Sequence, residues 1–394
     1  MRKESRSWSI PKVEDEDWEQ TIVSFQDLNL ESFSRALPER LPAVSNKDLL
    51  AKIRVQQREC DEGTLKLVDH RSKNVQFDED LLCYSLKTTD FICKPQEETV
   101  KAYKRALQIV ANMLEEGLMN TTRGMFYTAE DVYGSQKRSD FIIRHLASKL
   151  EVDRAQLNVF PGDAGSVIGP LSYTLHDVMH VDCNLELHDA VQPKHGVPVP
   201  NNMRTISKME GTSVKFILLV ESLAVYSILA TANFHNRYRC LLMTGRGMPD
   251  VNVREFSRYV SQKLGVALFY LSDCDPNGIE IYTVYKYGSA NMAFDSKHLA
   301  NPNLIWLGVW PSDLSKYEIP SVKMTDNEVH KANQLLKKEF VKRDNRLGEE
   351  VRHMVSSKQK TTICVLNCES ASGVSEFVLL KLKQVMDEML ILRE

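Results

Sequence analysis

No run of about 18 apolar residues occurs in the chain, so no membrane-spanning helix is expected. The N-terminus, MRKESRSWSIPKVEDEDWEQ, has basic residues but no apolar segment behind them, so no secretory signal is expected either. Cysteine pairs are missing. Cys60, Cys83, Cys93, Cys183, Cys240, Cys274, Cys364 and Cys368 are scattered without CxxC spacing, which indicates neither a disulfide framework nor a zinc site and fits a reducing compartment. Cys364 and Cys368 sit at the apolar ICVL run and read as buried thiols. An excess of one charge is missing as well. With 50 Lys and Arg against 53 Asp and Glu the net charge is −3, so a DNA-binding surface would have to be a local basic groove on a near-neutral protein. No repeat of about 20–50 residues is visible. No GxxxxGK[ST] phosphate loop is present, so use of ATP would require a separate subunit.

What is there is an ordinary globular composition, 43% hydrophobic and 26% charged, over 394 residues, a length that suggests two or three domains. Residues 1–45 mix the acidic cluster Glu14, Asp15, Glu16, Asp17 with Pro38 and Pro42 and read as a flexible, solvated tail. From Glu98 the pattern becomes helical: Val100, Tyr103, Leu107, Val110 and Leu114 repeat at three and four residues, and Gly117 is a natural stop. A short segment, Thr121 to Tyr127, precedes a second helical stretch from Ser139 to Leu150, and Leu157–Phe160 is apolar. Short helices closed by such a segment are what a winged-helix module looks like, although many helical domains share the pattern.

From Lys208 onward the pattern changes. KFILLV (215–220), CLLMT (240–244) and VALFYL (266–271) are continuous apolar runs, as expected of strands buried on both faces. Each is followed by a helical stretch, which argues for a parallel sheet with right-handed crossovers. LIWLGV (304–309) reads as one more strand, and the charged 327–353 stretch and the amphipathic 374–392 stretch as helices packed on this domain.

Glu221 directly follows the first run, and Asp273 and Asp275 follow the third. In an open parallel sheet ligand and catalytic groups collect at the carboxyl ends of strands, so these three carboxylates can converge. Converged carboxylates repel one another unless a cation sits among them, and oxygen ligands of this kind suit Mg2+. A lone DxDP is more often a polar turn; the upstream glutamate changes that, and the set matches the Toprim pattern of phosphodiester chemistry.

TTRGMFYTAEDVYG (121–134) resembles the nucleophile segment of the family formed by topoisomerase VI A subunits and the meiotic double-strand-break proteins, the sporulation-protein-eleven family. The resemblance continues in collinear order through FILLVESLAVY, TGRGMPD, DCDPNGIEIYTVYKYGSANMAF and LIWLGVWPSDL, over roughly residues 95 to 320. DPNGIEI looks closer to the meiotic branch.

The resemblance implies a multidomain α+β and α/β protein. A tail (1–45) leads into a helical region with a winged-helix (CAP-like) DNA-binding domain (46–165), followed by a Toprim domain (166–394) with a Rossmann-like parallel sheet. Tyr127 matches the catalytic tyrosine, Arg123 the motif arginine, and Glu221, Asp273 and Asp275 the magnesium ligands. Free tyrosine titrates at about 10, so a nucleophilic phenol needs help, and an arginine can supply it. Without the family, Tyr127 reads as a packed aromatic.

The implied activity is magnesium-dependent cleavage of double-stranded DNA by topoisomerase-like transesterification, leaving a 5′-phosphotyrosyl link and initiating meiotic recombination in the nucleus. The implied partners are a second copy of the chain (a homodimer on DNA), accessory break-forming proteins and a topoisomerase VI B-like subunit. The alternatives are a true topoisomerase VI A subunit that works with an ATP-hydrolysing B subunit, and an inactive DNA-binding relative. The chain departs from the family pattern at Gly124, Ala164, Ser222, Met248 and Trp310, each departure removing a charge or a stacking face that could touch DNA. Lys137, Arg138, Arg144, Arg237, Arg239 and Arg246 are candidate phosphate contacts.

Overall fold

The computed structural model describes residue 11 and residues 42–89, 92–162, 165–184, 196–368, 370 and 372–391. Most of the expected N-terminal tail, and Ala164, lie outside the described residues.

Two hydrophobic cores organise the described residues. The first is helical. The apolar repeat expected from Glu98 forms the helix Glu97–Glu116, which buries Tyr103, Leu107, Val110 and Leu114 and ends at Gly117 with a left-handed φ of 68°. The next long helix, Gln136–Leu150, begins three residues before its apolar pattern does. The cause is Ser135, whose hydroxyl accepts the Arg138 amide hydrogen and starts a polar first turn that carries no apolar period. The short helix Thr122–Thr128 lies between them, and a parallel pair, Asn120–Thr121 against Val159–Phe160, closes the unit.

The second core is built on six strands: β1 (Ser166–Ile168), β2 (Val197–Pro198), β3 (Phe216–Val220), β4 (Cys240–Thr244), β5 (Ala267–Leu271) and β6 (Ile305–Gly308). Their order is β2-β1-β4-β3-β5-β6. The four strands expected from the apolar runs are mutually parallel, with β3 and β4 buried along their whole length. The sheet is nonetheless mixed, because β1 and β2 extend it antiparallel beyond β4. The crossover helices are Leu223–Thr231, Val251–Leu264 and Pro276–Tyr287. The charged 327–353 stretch resolves into helices Asp326–Leu335, Glu339–Arg343 and Asn345–Ser357, and the last helix is Gly373–Ile391.

One expectation is overturned. Cys364 and Cys368 are exposed, because the turn Ile363–Asn367 is a 3-10 helix that sends Ile363 and Leu366 inward, three residues apart, and leaves the cysteines outside.

The two cores interlock. The hairpin Val75–Asp78 with Cys83–Leu86 packs Phe77 and Tyr84 on the second core, Phe77 lying 5.8 Å from the Tyr287 ring and 5.9 Å from that of Phe340. In return Phe294 packs against the helical core, stacked 5.4 Å from His70, which stacks at 4.3 Å on His145. Arg144 donates to the carbonyl of Asn291 at 3.1 Å across the same seam.

Candidate active site

Glu221 and Asp273 are carried past the ends of neighbouring parallel strands, and backbone hydrogen bonding fixes both. The Glu221 amide donates to the Leu271 carbonyl at 3.0 Å, continuing the β3–β5 ladder by one residue. The Glu221 Oε2 in turn accepts the Asp273 amide hydrogen at 3.0 Å. Asp273 Oδ1 accepts the Ile363 amide hydrogen at 2.8 Å. Asp275 is the N-cap of the helix Pro276–Tyr287, its Oδ1 accepting the Gly278 amide hydrogen at 2.7 Å. Gly278 is required here: a Cβ would stand 2.4 Å from the Asp273 carbonyl oxygen and 3.0 Å from Glu221 Oε2.

Burial pushes the Glu221 carboxyl up to about 7, with the charges of Asp273 and Asp275 adding to the rise and the Asp273 amide opposing it. Asp273 is also raised, chiefly by burial and further by Asp275, against the pull of the Ile363 amide. Among the described residues no three His, Cys, Asp or Glu side chains are arranged to enclose an ion by themselves. The donor set still fits magnesium. The ion takes few protein oxygens and completes its shell with water and phosphate, and a cation would offset both the burial and the neighbouring charges that lift Glu221.

Tyr127 sits on the short helix Thr122–Thr128, which Thr121 caps by accepting the Gly124 amide hydrogen at 2.8 Å. Met125 is fully buried and anchors the helix, so Tyr127, two residues on, points outward and is 57% exposed. Arg123 is one turn earlier, and its Nε donates to the Tyr127 hydroxyl at 3.3 Å. Its guanidinium carbon is 5.7 Å from the Tyr127 ring centroid, and the neighbouring Phe126 ring is 5.3 Å from the same ring. The structure thus brings Arg123 to Tyr127, and Glu221 to Asp273 and Asp275. Among the described residues no hydrogen bond, ion pair or ring contact joins the two groups.

The other sequence candidates divide. Lys137, Arg237, Arg239 and Arg246 are exposed, Arg246 also donating to Ser166 Oγ at 3.2 Å. Arg138 pairs with Glu98 at 3.4 Å, and Arg144 is spent on the seam. Met248 is 56% exposed in the loop whose Gly247 amide donates to the Glu221 carbonyl at 3.0 Å. Ser222 is half-buried, at the N-cap of Leu223–Thr231. Trp310 is only 6% exposed, its ring held between the Lys381 ammonium at 3.0 Å and the Arg346 guanidinium at 3.6 Å. Sequence reasoning missed the Ile363 amide, for which no signal exists because a backbone donor has no residue type. It also missed Gly278, which the NG pair inside DPNGIEI could have flagged.

The comparisons with known proteins fall on the same two groups. A family model for the Toprim domain of topoisomerase 6 A subunits and Spo11 matches residues 216–382, which include Glu221, Asp273 and Asp275. A second, "Type IIB DNA topoisomerase", matches residues 99–159, which include Arg123 and Tyr127. The chain is 30% identical to the meiotic recombination protein SPO11 of Homo sapiens over 323 residues, 79% of this chain and 80% of that protein. It is 30% identical to SPO11-1 of Arabidopsis thaliana over 339 residues, 84% of this chain and 91% of the relative. It is 35% identical to the A3 subunit of DNA topoisomerase 6 from Oryza sativa subsp. indica over 284 residues, 71% of this chain. That match spans 62% of the rice protein's length, and the match to the topoisomerase 6 A subunit of Arabidopsis thaliana spans 65% of that one.

Proposed function

The chain belongs to the family of topoisomerase 6 A subunits and Spo11, and from that premise we propose that it breaks both strands of duplex DNA by transesterification, with Tyr127 as the nucleophile. The tyrosine oxygen attacks a backbone phosphorus, the 3′-oxygen of the broken strand leaves, and the protein keeps a 5′-phosphotyrosyl link. No hydrolytic water takes part. Arg123 meets the Tyr127 hydroxyl and stabilises negative charge on the phenolate and on the phosphorus as the bond forms. Glu221, Asp273 and Asp275 would hold magnesium, which neutralises phosphate charge and favours departure of the leaving oxygen when bound. The helical unit, 46–165, serves as the winged-helix DNA-binding domain, and 166–394 as the Toprim domain.

The observation that carries the reading is the lack of contact, among the described residues, between an outward-facing Tyr127–Arg123 pair and a half-buried carboxylate group in the same chain. Each half lacks what the other supplies, and a homodimer on DNA completes both sites by setting the tyrosine of one protomer against the carboxylates of its partner. The biological role that fits is initiation of meiotic recombination in the nucleus, together with accessory break-forming proteins and a B-like subunit. Mixed dimers of Tyr127→Phe and Glu221→Gln protomers test the arrangement. With sites shared between protomers one intact site remains and one strand is nicked; with sites inside each protomer neither strand is cut.

The 35% identity to a topoisomerase 6 A3 subunit favours a second reading, in which the chain reseals the break and works with an ATP-hydrolysing partner. Strand passage with such a partner would select it, and breakage without resealing the first.

A further inference from the structure

Helix Asp326–Leu335 shows how this fold caps a helix that starts with threonine. The Thr325 hydroxyl accepts the Glu328 amide hydrogen at 3.4 Å, and the Thr325 amide donates back to Glu328 Oε2 at 2.8 Å. Two otherwise orphaned donors are satisfied by one reciprocal pair. The tyrosine helix begins in the same way, with Thr121 at the N-cap and its hydroxyl on the amide of residue 124. Residue 124 is a glycine and has no side chain to return the bond.

The missing half comes from the residue before the cap. Asn120 Oδ1 accepts the Thr121 amide hydrogen at 2.8 Å. Its Nδ2 donates to Thr128 Oγ1 at 3.2 Å, and the Thr128 hydroxyl donates to the Gly124 carbonyl at 2.8 Å. One carboxamide therefore ties the start of the helix to its last residue, and Thr128 directly follows Tyr127. The backbone of Asn120 is fixed in turn, its amide donating to the Asn158 carbonyl at 3.0 Å. The carboxamide also occupies the space that a side chain at 124 would need: a Cβ there would lie 1.9 Å from Asn120 Oδ1 and 2.9 Å from its Cγ.

We propose that Asn120 is a positioning residue for Tyr127, supplying the acceptor that closes the cap of the tyrosine helix, the part that Glu328 plays for Thr325 and that a glycine at position 124 cannot play. Asn120 and Gly124 form a matched pair, and either an asparagine at 120 with glycine at 124 or an acid at 124 alone completes the cap. The role rests on the reading of Tyr127 as nucleophile; the cap itself does not.

The matched pair reverses an ordinary expectation. Alanine for glycine inside a helix normally stabilises it. Here Gly124→Ala pushes the carboxamide aside and offers no acceptor in exchange, so it should act like Asn120→Ala. The test uses the full chain as wild type, Asn120→Ala, Gly124→Ala and the double variant Asn120→Ala/Gly124→Glu, with Tyr127→Phe as control. Hydrogen exchange at the Thr121 amide is expected to be about tenfold faster in both single variants and near the wild-type rate in the double variant. With magnesium and saturating duplex, covalent adduct formation is expected to be about tenfold slower in the single variants and to recover in the double variant, with DNA affinity unchanged throughout. Gly124→Ala exchanging and reacting like wild type, or a double variant no faster than Asn120→Ala, would overturn the proposal. A wild type that forms no adduct, or an adduct that survives Tyr127→Phe, removes the nucleophile and the positioning role with it, while the Thr121 exchange still decides the cap.

Discussion

Glu221 accepts the amide hydrogen of Asp273 at 3.0 Å, so a backbone donor ties together two acidic residues on neighbouring strand ends. The contact tolerates a neutral or a charged carboxyl, which lets Glu221 stay in place while burial and Asp273 lift its titration to about 7.

Glu221→Gln should therefore separate stability from chemistry. Between pH 4.5 and about 7 the folded protein binds more protons at Glu221 than the unfolded chain does, so without magnesium stability falls as pH rises through that window. Glutamine keeps an acceptor for the Asp273 amide and removes the charge. The metal-free variant is expected to be more stable than wild type at pH 8, by about 1 kcal/mol, to gain nothing from magnesium, and to cut no DNA. Thermal melts with and without magnesium check this; a variant less stable than wild type at pH 8 would contradict it.

The histidine stack at the seam gives the opposite pH dependence. Burial, assisted by Arg144, holds His70 down to about 4, and burial, His70 and Arg144 hold His145 down to about 3. Both are neutral in the fold and protonate more readily in the unfolded chain, so their contribution is complete above pH 6.5 and is lost as pH falls toward 4. Each should cost roughly 1–2 kcal/mol by pH 5. His145→Phe is expected to flatten the fall in melting temperature between pH 6.5 and 5 by about half, and an unchanged slope would refute the assignment.

Trp310→Arg tests whether that position faces DNA. The indole lies between Lys381 and Arg346, and Lys381 pairs with Asp313 at 2.8 Å, both fully buried. A third cation there removes two ring contacts and adds repulsion in a dry site, for an expected loss of about 3 kcal/mol or more. Chemical denaturation measures it. A variant as stable as wild type that binds DNA more tightly would show that the position faces DNA.

Most of the second domain was legible because burial on both faces leaves strands with one composition. FILLV, CLLMT and ALFYL became strands within a residue of their apolar limits. The antiparallel strands β1 and β2 were not, being only three and two residues long. Cys364 and Cys368 misled because the apolar character of ICVL belongs to its 3-10 spacing and not to each residue. Lys381 shows the converse: a charged residue in an amphipathic stretch reads as solvent-facing until Asp313, far away in sequence, neutralises it. At the site, the carboxylates could be placed from strand ends alone. Tyr127 could be singled out only through the family resemblance, since the exposure and the Arg123 contact that distinguish it are properties of the folded helix.

The central claim is the bond between Tyr127 and DNA. Denatured protein–DNA species formed with a duplex and magnesium can be digested and the linked residue mapped by mass spectrometry. The account expects the 5′ end of the broken strand on Tyr127, loss of the species in Tyr127→Phe, and retained DNA binding by that variant. A link mapped to any other residue, or one undiminished in Tyr127→Phe, would contradict it.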